Sequence, residues 1–269
     1  EEKLTEARDK GVEILENGGT AIETIEQVIN ILEDSPLFNS GKGAVFTHQG
    51  TNELDASIMN GADLNAGAVA GVKTIKNPIS AAIEVMNNSD HVMLAGDGAS
   101  RFAEEKGLEI VDNSYFRTED RWKALQRHLE REKNGTVGCV VLDKHGNLAA
   151  GTSTGRRTNK KYGRIGHSPI IGAGTYANNK TCAISATGHG EYFIRYTVAH
   201  DISALMEYKN MSLEDASNLV INDKLVKAGG DGGIIAVDHM GNISMSFNTI
   251  MMFRAYAKSN GEKGIAIFE

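Results

Sequence analysis

Gly135-Thr136-Val137-Gly138-Cys139-Val140-Val141-Leu142-Asp143, followed by Lys144-His145-Gly146-Asn147 and then Leu148-Ala149-Ala150-Gly151-Thr152-Ser153, is the stretch that sets the fold. Two apolar runs flank a short polar turn carrying a glycine, which predicts a β-hairpin. The pattern returns around Asp238-His239-Met240-Gly241-Asn242, between predicted strands at 233–238 and 242–247. Hairpins rather than strand–helix–strand crossovers dominate, and helical segments come in pairs. That points to an α+β fold of stacked layers over a doubly wound sheet.

Upstream of the hairpin, one helix runs to about Leu15 and stops at Gly18-Gly19. The next opens on Thr20-Ala21-Ile22-Glu23, a capping box, and carries Ile22, Ile25, Ile29 and Leu32 at helical spacing. Short strands are predicted at 43–48, 53–59 and 67–73, a helix after Asn77-Pro78, a strand at 91–95 and a helix at 99–106. The charged run Glu119–Lys133 reads as a solvated helix face. Beyond the hairpin come a strand at 181–186 and a long helix at 191–208 with Ile194, Val198, Ile202 and Leu205 facing inward. A helix capped by Ser212 follows, then strands at 251–256 and 265–268. No repeat or linker divides residues 1–269, which read as a single domain.

Glycine is the compositional oddity: 30 residues against 3 prolines in a chain of 269. Without a Gly-X-Y period this is not collagen, so the glycines mark special backbone conformations or close approaches. Hydrophobic residues at 41% and charged residues at 23% fit a globular chain. The net charge of −7 argues against nucleic acid as a partner, and no apolar run reaches the length of a membrane span. Cys139 and Cys182 lie in apolar runs outside any CxxC and read as buried small residues. The chain opens Glu1-Glu2-Lys3 with no Met, so it is read as trimmed. The compartment stays open, cytoplasm favoured over a periplasmic or secreted setting.

Five clusters could carry chemistry. Thr136, at the start of a strand, is either β-propensity or a hydroxyl nucleophile whose own α-amine is the base, freed by a cut between Gly135 and Thr136. Thr152-Ser153-Thr154-Gly155 are ordinary strand hydroxyls, or bring Thr154 back beside Thr136 across the hairpin. Arg164, between Gly163 and Gly166, is a surface cation or a carboxylate grip. Thr187-Gly188-His189-Gly190-Glu191 is a strand-to-helix turn or an anion and oxyanion site. Pro36–Gly43 and Gly96-Asp97-Gly98 lack the spacing of a P-loop or a dinucleotide fingerprint, and the eight histidines form no zinc motif.

In combination these stretches resemble the plant-type asparaginase and isoaspartyl peptidase family of N-terminal-nucleophile (Ntn) hydrolases. The matching segments run in family order: Leu32–Gly41, Leu54–Met59, Gly135–Gly138, Thr152–Gly155, Gly163–Gly166, Gly172–Gly174, Thr187–Glu191 and Gly229–Gly233. The resemblance implies a four-layer αββα sandwich, made as a precursor that cuts itself before Thr136. The products would be subunits 1–135 and 136–269 in an (αβ)2 homodimer. It implies Thr136 as nucleophile, Thr154 as its hydrogen-bond partner, and Thr187 with Gly188 as oxyanion donors, with Asn39 supporting the site from the other subunit. Arg164 would hold a substrate carboxylate, helped by Gly190. The loop would hold a structural sodium through the carbonyls of Leu32, Glu33, Ser35, Phe38, Ser40 and Lys42, and no other cofactor is implied. The substrate would be a small amide, L-asparagine or a β-aspartyl dipeptide. Glycosylasparaginase, taspase-like endopeptidase and uncleaved binding homologue are the alternatives. The same likeness suggests that an opening strand, and linker residues just before Asn134, are missing.

Three positions depart from the family pattern. His167 stands where an Asp would hold the substrate α-ammonium, Arg156 replaces the second Gly after Thr152-Ser153-Thr154, and Thr249-Ile250-Met251-Met252 replaces Thr-Glu-Gly-Met. A neutral imidazole accepts one hydrogen bond but brings no negative charge. Arg156 is expected to add bulk and charge to the site.

Overall fold

The computed structural model describes residues 1–126 and 135–268. In chain order the helices are α1 (Glu2–Glu16), α2 (Ala21–Glu33), α3 (Pro78–Asn88), α4 (Gly96–Glu105), α5 (Glu119–Gln126), α6 (Gly190–Arg195), α7 (Val198–Lys209) and α8 (Leu213–Asn218). The strands are β1 (Leu54–Asn60), β2 (Ala66–Val72), β3 (Met93–Ala95), β4 (Val137–Leu142), β5 (Leu148–Thr154), β6 (Thr175–Ala177), β7 (Cys182–Gly188), β8 (Gly232–Asp238), β9 (Ile243–Ser244), β10 (Arg254–Ala257) and β11 (Lys263–Ala266). One sheet has the order β3-β2-β1-β5-β4, a second β6-β7-β8-β9, and β10 pairs with β11 alone. Every pairing is antiparallel except β2 with β3.

The two larger sheets stack face to face, with β4 and β5 against β7 and β1 against β6. Helices α2 and α3 cover the outer face of the first sheet, and α7 and α8 that of the second. The result is the αββα sandwich of the Ntn hydrolases. Its outer interfaces are built from large aliphatics: Ile25, Ile29, Ile58 and Ile79 on one side, Ile184, Ile202, Val220 and Ile234 on the other. Between the sheets the chain uses smaller residues, Ala66, Ala150, Ala177 and Ala183, around Met59 and Leu148.

That inner layer also carries a hydroxyl chain. Ser57 Oγ donates to Thr175 Oγ1 at 2.7 Å, Thr175 Oγ1 to Thr152 Oγ1 at 2.6 Å, and Thr152 Oγ1 lies 2.7 Å from Ser185 Oγ. Strand alternation puts Thr152 and Thr154 on this face and Ser153 on the other. Gly138, opposite Thr152 on β4, is where Ser185 comes closest: an added Cβ would overlap its hydroxyl. Glycine here is a demand of sheet-to-sheet distance.

The hairpin expected at the outset is β4–β5, and Asp238–Asn242 closes another: the Asp238 N–H donates to the Asn242 carbonyl. The capping box at Thr20 and Glu23 forms as read, as does the Ser212 cap. Three readings need correction. Residues 43–48 are not a strand; Asn52 Nδ2 satisfies the carbonyls of Ala44 and Val45, so a side chain replaces a ladder. The helix at 191–208 is two helices, broken at Thr197 with φ +45°. Its second piece spends the N–H groups of Ala199 and His200 on the carbonyls of Ala173 and Gly172 instead of extending α6. Ile194 accordingly faces out. The strands read at 242–247, 251–256 and 265–268 are shorter or shifted, and β10–β11 form a sheet of their own. β6, only three residues long, has no counterpart among the predicted strands. The charged run is helical over α5, and its remainder, with the question of the linker before Asn134, lies outside the described residues. Among the described residues no helix is long and apolar enough to cross a membrane.

Candidate active site

Where β4 begins and β5 ends, the ladder pairs Val137 with Ser153 and so sets Thr136 beside Thr154. Thr136 Oγ1 donates to Thr154 Oγ1 at 3.3 Å. Thr154 Oγ1 donates in turn to the Gly135 carbonyl at 3.0 Å and accepts from the Arg156 N–H at 2.9 Å. Asn39 Nδ2 is a second donor to the Gly135 carbonyl, at 2.8 Å, while its Oδ1 accepts from the Val45 N–H. The carbonyl next to the Thr136 hydroxyl is thus held by two side-chain donors. Asn39 reaches it within its own chain. The tight turn at Gly41 and Gly43, packed on the carbonyls of Glu33, Pro36 and Phe38, brings it there.

Arg156 does not project its charge into the cleft. Its guanidinium binds both carboxylate oxygens of Asp55, reaches Glu53 at 3.0 Å, and is all but fully buried. What it offers the site is backbone, the N–H to Thr154 and a carbonyl accepting from Asn39 Nδ2 at 2.6 Å. That backbone is left-handed, with φ +70°. A glycine would take this conformation freely, whereas here the buried ion pair holds it. Lys160 joins the same group at 3.0 Å from Glu53, and burial, reinforced by Arg156, pushes its amine down to about 7.

On the facing wall, Arg164 forms a two-pronged pair with Glu191, at 2.9 and 2.8 Å. This pair holds the Glu191 carboxyl down at about 2. Both partners are partly exposed, so an incoming carboxylate can exchange with Glu191. His167 is buried, stacks on Phe193 with ring centroids 4.8 Å apart, and has Nε2 3.1 Å from the Ala186 carbonyl. Burial pushes its pKa down to about 4. Gly190 lies against both residues: a Cβ there would sit 2.8 Å from Arg164 Nη2 and 3.1 Å from His167 Nδ1. Gly188 lines the cleft with Thr136, Thr154, Arg164 and His167, while Thr187, one residue back on β7, pairs with Gly233.

Sequence reasoning missed Asp55 as the anchor of Arg156 and Glu191 as the occupant of Arg164. It also missed Glu33, buried between Ser153 Oγ and the Ile79 N–H, its carboxyl pushed up to about 8 by burial. Ser153 connects it to Ser40 at 2.7 Å, beside Asn39. Cys182 is buried, and burial pushes its thiol up to about 12. Among the described residues no group of three or more His, Cys, Asp or Glu could hold a metal ion. A cation in the 32–42 loop would therefore rest on backbone oxygens, as a hard cation does. Glycine at 41 and 43 lets the backbone pack directly on the carbonyls of Glu33 and Phe38.

The family model for asparaginase matches residues 1–267. The chain belongs to the asparaginase family, the Ntn-hydrolase group of amide-bond hydrolases. It is 47% identical over 270 residues to an isoaspartyl peptidase of Escherichia coli, covering 95% of this chain and 84% of the relative. An isoaspartyl peptidase of Salmonella typhimurium is 47% identical over 268 residues, covering 94% and 86%. An isoaspartyl peptidase/L-asparaginase of Bos taurus is 40% identical over 264 residues, covering 95% and 85%. As a member of this family, the chain is an enzyme.

Proposed function

We propose that this enzyme activates itself by cutting between Gly135 and Thr136, and then hydrolyses the side-chain amide of L-asparagine and β-aspartyl bonds with Thr136 as nucleophile. The observation that carries the proposal is the Gly135 carbonyl, held by Asn39 Nδ2 and Thr154 Oγ1 with the Thr136 hydroxyl alongside. Donors aimed at a carbonyl oxygen stabilise the negative charge that grows there under attack. Thr136 Oγ1 adds to the Gly135 carbon, the C–N bond breaks, and the nitrogen takes up the proton. Water then hydrolyses the ester, leaving a Gly135 carboxylate and a free Thr136 amine.

In the mature site that α-amine is the base that takes the Thr136 proton. Thr154 keeps its hydrogen bond to the nucleophile, and Gly188 and Thr187 serve the oxyanion. Arg164 takes the substrate α-carboxylate from Glu191, and Gly190 leaves the space for it. We further propose an (αβ)2 homodimer, and a structural sodium on the carbonyls of Leu32, Glu33, Ser35, Phe38, Ser40 and Lys42. The ion would fix the loop bearing Asn39 and take no part in bond cleavage.

Mass spectrometry tests the proposal. The chain of 28.9 kDa should give two near-half fragments, one beginning at Thr136, and Thr136→Ala should stay whole. A wild-type chain that remains intact through prolonged incubation would favour a binding homologue instead.

A further inference from the structure

We infer that Glu33 is a positioning residue for self-cleavage: from the end of α2 it holds, through Ser153 and Ser40, the two segments that carry Thr154 and Asn39. The inference rests on the self-cleavage reading and adds to it a side chain that touches neither the bond to be cut nor the nucleophile. Glu33 is fully buried, and the neighbouring charge that acts on it is the like charge of Asp34. A buried carboxyl without a cation beside it costs stability, and an apolar side chain of that size would suit burial better. Its hydrogen bonds show where it acts instead. Oε1 accepts from Ser153 Oγ at 2.5 Å and from the Ile79 N–H at 3.1 Å. Ile79 lies in the first turn of α3, so the carboxyl ties the end of one helix to the start of the next. Ser153 spends its proton on Glu33, so the 2.7 Å contact between the two serines is a donation from Ser40. The chain from Ser40 through Ser153 to Glu33 thus has one direction and ends in the helical layer.

Ser153 precedes Thr154 on β5, and Ser40 follows Asn39 where the backbone is extended. In extended backbone successive side chains point to opposite sides. A grip on the two serines from behind therefore sets the aim of Thr154 Oγ1 and Asn39 Nδ2 in front, where they reach the Gly135 carbonyl at 3.0 and 2.8 Å. One backbone bond, from the Gly155 N–H to the Asn39 carbonyl at 2.8 Å, joins the same two segments directly. A single bond is a hinge. The buried contact is a second point, and it stops the two donors turning relative to each other.

Freshly made precursor tests this in the wild type, Glu33→Leu, Glu33→Gln and Ser153→Ala, with self-cleavage followed on gels and melting measured in parallel. Glu33→Leu and Ser153→Ala should slow the cut by about ten- to a hundredfold, as a small misplacement of a catalytic group does. Glu33→Gln keeps the Oε1 acceptor and should cut at close to the wild-type rate, whatever it does to melting. Adding Glu33→Leu to Asn39→Ala should slow the cut by less than the product of the single effects, since the aim of an absent donor no longer counts. A wild-type rate in Glu33→Leu or Ser153→Ala, a Glu33→Gln as slow as Glu33→Leu, or single effects that multiply in full would each overturn the inference and leave self-cleavage in place. A wild-type chain that never cuts removes that reading and the inference together. If Glu33→Leu does not fold, Ser153→Ala decides, because it leaves the Ile79 contact intact.

Discussion

Along one wall of the cleft, Thr154, Asn39 and the Arg156 backbone are tied to one another and to the Gly135 carbonyl by hydrogen bonds inside the chain. Along the other, Arg164 and Glu191 hold each other at the surface in a pair that a ligand can enter. On the proposed reading the first wall acts on a bond of its own chain, so its geometry can be complete before any substrate arrives. The second must be exchangeable. Arg156 shows how the two are kept apart: its charge is drawn to Asp55, and only its backbone reaches the site.

That contrast can be broken from either side. Asp55→Asn should have the largest effect. It leaves the buried Arg156 guanidinium short of its counter-charge, at about 3–5 kcal/mol of stability in urea unfolding, and slows self-cleavage by releasing the Arg156 backbone. Next comes Asn39→Ala, which removes one donor to the Gly135 carbonyl. Self-cleavage followed on gels should slow by roughly 10²–10³-fold while thermal stability falls far less. Cleavage at the wild-type rate would show that Thr154 suffices. On the recognition wall, Arg164→Ala should leave self-cleavage intact and lower kcat/KM by about ten- to a hundredfold, mainly through KM. Slow self-cleavage in this variant would join two walls that we describe as separate.

The last prediction concerns pH and Glu33. Its carboxyl titrates near 8 in the folded protein against an ordinary value near 4.5, so between those values the folded state holds the extra proton. Stability should therefore fall as pH rises from about 4.5 to 8, then level off. In Glu33→Gln, melting temperatures across that range should be flatter. An unchanged slope would assign the dependence to other groups.

Much of this architecture was legible because it rests on local signals. The β4–β5 hairpin follows from apolar runs around a turn, and the Thr20 box from a hydroxyl three residues before a Glu. The Thr136–Thr154 proximity follows from the hairpin alone. What escaped depends on partners distant in sequence. Nothing near Thr197 says that Ala173 and Gly172 will take the amides that would have continued α6. Nothing near residue 44 says that Asn52 will satisfy its carbonyl. Arg156 at a left-handed position reads as bulk in the site until Asp55, far upstream, is seen to draw the side chain away. The reach of Asn39 to the Gly135 carbonyl follows from the turn of its loop, which spacing does not encode.

The ladder between β1 and β5 pairs Asp55 with Thr154 through to Asn60 with Ala149, in the middle of a sheet whose strands come from both sides of residue 135. A cut at that residue would leave two polypeptides sharing one ladder and one core. Neither could leave without exposing the aliphatic layers, so separation and unfolding would be a single event. The processed enzyme would then melt as an obligate heterodimer does, with a midpoint that rises with protein concentration. An uncut chain of the same sequence would carry no such term from that junction.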